Sequence, residues 1–90
     1  MIVSAAVKIK DLRQDKEIII PCHRHCDAFY ILKEFGYHRT TDFEEIAQGF
    51  LNNKGNFYNR LEAAKYMRDH YQKTRFGDYP DGELYSEDLW

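Results

Sequence analysis

The sequence predicts an α+β fold: a small, mainly antiparallel sheet of about four strands with two helices packed on it. Three observations lead there. The N-terminal segment alternates apolar and polar residues, two later segments place apolar residues at helical spacing, and a turn-forming Asn52-Asn53-Lys54-Gly55 separates two strand-like runs. Ninety residues make one domain with a modest core, so residues 1–90 read as a single unit with 83–90 a docked C-terminal tail. An aromatic content of 16% favours packing over disorder.

In the first segment Val3, Ala5, Val7 and Ile9 alternate with Ser4, Ala6, Lys8 and Lys10, the period of a half-buried strand. Asp11 to Lys16 reads as a turn, and β-branched Glu17–Ile20 as a second strand that Pro21 ends. Ala28, Ile31, Leu32 and Phe35 then mark a helix that begins within Arg24–Asp27 and stops at Gly36. Residues Tyr37 to Ile46 are polar, and Thr41 with Glu44 fits the cap of a short helical turn. Gln48–Leu51 and Asn56–Tyr58 form the arms of a hairpin across Asn52–Gly55. Asn59 and Glu62 signal a second helix, carried by Ala63, Met67 and Tyr71 to about Gln72. Lys73–Gly82 reads as a loop, and the apolar groups of the acidic tail are expected to dock on the domain. No internal repeat stands out.

Thirteen basic residues against fifteen acidic ones give a net charge of −2, which disfavours generic coating of nucleic acid. No segment reaches the ~18 apolar residues of a membrane span. Met1–Lys10 lacks the pattern of a signal peptide, so the expected compartment is a cytoplasm, with Cys22 and Cys26 reduced. A chain this small gains by burying surface against another copy, and a homo-oligomer is expected.

The densest polar signal is Cys22-His23-Arg24-His25-Cys26-Asp27. Zinc is disfavoured, because structural sites join two separated ligand pairs and adjacent residues cannot readily wrap a tetrahedron. Nucleophilic catalysis by either cysteine is disfavoured too, because neighbours in sequence seldom point at one another. An anion site is the sharper reading. His23, Arg24 and His25 at a helix start would combine side-chain donors with free backbone N–H groups. Against it stands a plain alternative, in which Asp27 caps the helix, one histidine packs half-buried and the rest faces solvent.

Arg60 lies in a first helical turn, where a cation opposes the dipole, so an anionic partner is expected: a ligand, or Glu87 and Asp88 of the tail. Gln48 would add orientation; Tyr58, Tyr66, Tyr71 and Tyr85 are more often core, but a tyrosine such as Tyr58 could stack a base if several lined one groove. The candidate ligand-binding set is therefore His23, Arg24, His25, Asp27, Gln48, Tyr58, Arg60, Glu87 and Asp88, with no catalytic residue, metal or cofactor assigned.

Several runs together carry a family resemblance: Ser4-Ala5-Ala6-Val7, Arg24-His25 with Asp27, Gln48-Gly49-Phe50-Leu51, Gly55-x-Phe57-x-x-Arg60-x-Glu62-Ala63, and Leu84-Tyr85-Ser86-Glu87-Asp88-Leu89-Trp90. The chain resembles, over nearly its whole length, a family of small uncharacterised bacteriophage proteins. That family often has Gly-Arg-Phe where Gly55-Asn56-Phe57 stands here, so this loop lacks a basic side chain for phosphate. The resemblance implies a phage accessory protein acting in the cytoplasm of a bacterial host. Joined to the residues above, it suggests a host-modulating or counter-defence protein that sequesters a phosphorylated small molecule such as a nucleotide signal. The alternatives are a protein-binding inhibitor of a host factor and a small phosphoester hydrolase using His23 or His25.

Overall fold

A computed structural model describes residues 1–90. Six main elements follow one another: β1 Ile2–Asp11, β2 Lys16–Cys22, α1 His25–Glu34, β3 Phe43–Asn52, β4 Phe57–Asn59 and α2 Arg60–Asp69, with a short 3-10 turn at Ser86–Asp88. The strands form one antiparallel sheet in the order β2-β1-β3-β4. The predicted α+β class, the four strands and the two helices are all present.

The element order strand–strand–helix occurs twice, and the strand order reads alike from either edge. The two halves share a layout that the sequence does not announce. Both helices cover the same sheet face. Beneath α1 lie Val7, Ile9 and Phe43, which bury Ala28 and Leu32. Beneath α2 lie Ile2, Ala5 and Phe50, which bury Ala63, Ala64 and Met67. In the β1–β3 register, Ile9 and Phe43 belong to one end of the ladder and Ile2 to the other. The helices thus run apart, and their N-termini come together over the middle of the sheet. Each large core side chain so buried contributes roughly 1.5–3 kcal/mol of transfer free energy.

Four local expectations need correction. Pro21 does not end β2: it pairs with Ala6, and the strand continues to Cys22. An edge strand tolerates this, because a proline nitrogen can face away from the ladder. Thr41 and Glu44 cap no helical turn, since Phe43–Ile46 already belongs to β3 and Phe43 packs opposite Asp11. Burial of that ring, 2% exposed, overrides the cap-like spacing. Ile31 and Phe35 fall off the buried stripe of α1 and are exposed. The stripe is instead His25, Ala28 and Leu32, so a histidine holds a core position. Finally, α2 stops at Asp69, and Tyr71, with φ of 55°, faces water rather than the core.

The β3–β4 hairpin forms as read. Asn52 Oδ1 accepts the N–H groups of Lys54 and Asn56, and Gly55 supplies the positive φ of 82°. Within it, Gly49 cannot be anything larger: a Cβ there would stand 2.1 Å from the Tyr58 carbonyl oxygen. The tail returns to the core through Leu84, which is fully buried, while Leu89 and Trp90 pack half-buried on the same cluster.

Candidate functional site

The start of α1 is held by a reciprocal contact in which the Asp27 carboxylate accepts the Arg24 N–H at 3.2 Å. This leaves the Arg24 side chain for other work. Its Nη2 donates to the main-chain oxygen of Trp90, and its Nη1 is buried with no acceptor. Of the first N–H groups of the helix, that of Asp27 already donates to the Arg24 carbonyl at 3.0 Å.

His25 follows and is 7% exposed. Its Nε2 lies 2.8 Å from the Gly49 carbonyl oxygen, and its ring meets Phe50 edge-on at 5.1 Å. A carbonyl only accepts, so Nε2 carries the proton and Nδ1 is left as an acceptor. Burial pushes the imidazole pKa below its ordinary value, the Gly49 bond opposes that, and the nearby Arg60 charge adds to it. His25 is therefore the neutral floor of the site.

The start of α2 is a full capping box: Asn59 Oδ1 accepts Glu62 N–H at 2.8 Å, and Glu62 Oε1 accepts Asn59 N–H at 2.9 Å. It sets Arg60 as the first helical residue. The guanidinium donates to the Leu84 carbonyl at 3.1 Å and to Gln48 Oε1, and lies 4.7 Å above the Tyr85 ring. No carboxylate pairs with it. The expected ion pair between Arg60 and the tail acids is not made, because Gln48, a carbonyl and an aromatic face hold the guanidinium instead.

Between these two helix starts lies a recess of about 490 Å³. The α1 side supplies Arg24, His25, Cys26 and Phe29; β3 and α2 supply Gln48 and Arg60; the tail closes it with Tyr85, Ser86 and Glu87. Five of the nine candidate residues therefore meet: Arg24, His25, Gln48, Arg60 and Glu87. Four do not line the recess. His23 packs on Trp90 with ring centroids 5.5 Å apart. Asp27 is taken up by the helix cap. Tyr58 packs on Tyr66 at 4.9 Å beneath the other helix. Asp88 turns back to accept the Tyr85 N–H at 2.9 Å.

Sequence reasoning missed Phe29 as a wall, whereas Tyr85 was one of the four tyrosines weighed for stacking. Phe29 sits one helical turn after His25, a spacing that places both on one side of α1. Which tyrosine reaches the recess had no local signal, because the tail's path depends on the burial of Leu84.

The recess offers guanidinium donors, an amide, a carboxylate and two aromatic faces. Side chains of this chemistry can pair with an anion and with polar atoms beside it. The Cys22 thiol is pushed up to about 11, chiefly by burial, so it stays protonated at neutral pH. No three His, Cys, Asp or Glu side chains gather as a metal-ligand group. No helix is long and apolar enough to cross a membrane.

No curated protein and no solved structure matches this chain. The family model described as phage T4 y16D protein matches it over residues 1–90, in agreement with the resemblance read from the sequence. With the match spanning every residue, the chain belongs to the phage T4 y16D protein family.

Proposed function

We propose that this phage protein is an accessory factor that binds a phosphorylated small molecule in the recess between the two helix starts, and holds it without turnover. One observation carries the reading: Arg24 and Arg60, thirty-six positions apart in sequence, line one hollow beside a neutral histidine and two aromatic side chains. Each guanidinium lies at a helix N-terminus, where the backbone adds to the attraction for an anion. Phe29 or Tyr85, rather than Tyr58, would face a base. A binder that sequesters a host signal suits this set, because the one buried histidine already spends its proton on Gly49. The site of action would be the host cytoplasm. The test is a thermal-shift and calorimetric screen of nucleotides and cyclic nucleotides, followed by Arg24→Ala. A saturable hit that Arg24→Ala weakens at least tenfold is expected; a blank panel removes the proposal.

A second reading has its own observation. Tyr30, Ile31 and Phe35 form an exposed apolar patch on the outer side of α1, with exposures of 68%, 39% and 75%. Such a patch suits a partner protein, either a host factor or a second copy of the chain. Light scattering after size exclusion, with Phe35→Ser as control, separates a self-associating chain from a monomer. A hydrolase using His25 would instead release product from a bound nucleotide, and recovery of intact ligand from the heated complex argues against it.

A further inference from the structure

We infer that the recess takes a ligand bearing a single phosphoryl group, of the nucleoside monophosphate class, and discriminates against di- and triphosphates. This rests on the reading above and adds the ligand's charge. The recess holds two cations, Arg24 and Arg60, one carboxylate, Glu87, and no lysine. With His25 neutral, the lining carries one net positive charge. A monophosphate brings one to two negative charges and a triphosphate about four, so only the former is matched.

Donor counting shows that one phosphoryl group can be fully bonded. A guanidinium has five N–H donors. Arg60 has committed two of its nitrogens, to Leu84 and Gln48, and Arg24 has committed one, to Trp90. Seven of the ten N–H donors remain, enough for the three oxygens of one phosphoryl group. Arg39, whose guanidinium lies 4.4 Å from the Phe29 ring, is engaged elsewhere, with Glu45 at 3.6 Å.

Glu87 supplies the discrimination. Its carboxylate makes no ion pair, although it shares the recess with both arginines and lies near enough to His25 to act on it against Arg60. A second phosphate would meet this charge at the solvent-facing side of the recess, where like charges repel. A sugar hydroxyl or a base amino group would instead donate to it. Glu87 thus rejects polyphosphate and accepts the neutral end of a nucleotide.

The experiment is calorimetry at one ionic strength, without divalent metal, using adenosine, AMP, ADP and ATP on the wild-type chain and on Glu87→Gln. AMP is expected to bind at least tenfold tighter than ATP and than adenosine. Glu87→Gln is expected to shrink the AMP-to-ATP ratio at least fivefold, mainly by tightening ATP. If ATP binds the wild-type chain more tightly than AMP, or the ratio survives Glu87→Gln, the single-phosphoryl inference is overturned while the binding site stands. If adenosine binds as well as AMP, the phosphoryl group is not what is recognised. If none of the four binds, the inference falls together with the nucleotide reading.

Discussion

Asp11 and Arg24 are two charged side chains of the first strand–strand–helix unit, and the chain treats them in opposite ways. Asp11, at the end of β1, is fully buried and fully partnered. It accepts Tyr37 Oη at 2.9 Å, Arg13 N–H at 2.9 Å and Gln14 N–H at 3.2 Å. Burial pushes its pKa up, but these hydrogen bonds and Lys16 outweigh that and hold it below its ordinary value. Arg24, at the start of α1, keeps a buried Nη1 with nothing to donate to. A buried group whose partners all come from the protein itself, here its own turn and Tyr37, is structural. A buried donor left open costs stability until something fills it, and Arg24 is also one of the residues that line the recess.

The comparison breaks first at Gly49, the floor beneath His25. Gly49→Ala drives a methyl into the Tyr58 carbonyl and the Phe57 ring. The expected loss is about 3 kcal/mol in urea denaturation, at the upper end for overpacking. A near-normal midpoint would mean that the floor is slack and that His25 is not rigidly held.

Next comes the structural pole. Asp11→Ala leaves Tyr37 Oη and two backbone N–H groups without their acceptor, and is expected to lower Tm by roughly 10 °C. Arg24→Met, which keeps bulk and removes the open donor, is expected to change Tm by no more than roughly 3 °C and to abolish ligand binding. Equal destabilisation by both variants, read by differential scanning calorimetry, would erase the contrast and make Arg24 a structural residue.

The smallest effect is in pH. The folded state lowers the His25 pKa below its ordinary 6.5, so the unfolded chain takes up that proton first. The stability this contributes is present above pH 6.5 and declines as pH falls below it. His25→Gln should flatten that stretch of the profile. Asp11 and Asp42, whose folded values lie below the ordinary 3.8, act only at lower pH. A profile unchanged by His25→Gln would mean that the imidazole is not buried as described.

Much of this molecule was legible from periodicity and turn chemistry. Strand β1, the Asn52–Gly55 hairpin and the Asn59–Glu62 capping box are local features, and local sequence encodes them. Strand β3 before Ala47 was not legible, because its pairing with β1 is decided by burial of Phe43 against a distant strand. Arg24, His25 and Arg60 were identified individually, by residue type at helix starts. Their convergence follows from two helices running apart over one sheet, and no local pattern encodes that. The stripe of α1 was misassigned for a related reason. His25, Ala28 and Leu32 lie at i, i+3 and i+7, but a histidine does not read as core until Gly49 offers its carbonyl.

The most direct measurement follows the side-chain Nε–H signals of the arginines in ¹H–¹⁵N NMR spectra during titration with AMP. If both guanidiniums grip one phosphoryl group, the Arg24 and Arg60 signals are expected to shift together to a single saturation point, with Arg13 and Arg39 unmoved. Static Arg24 and Arg60 signals at saturating AMP, or shifts confined to Arg13 and Arg39, would contradict it.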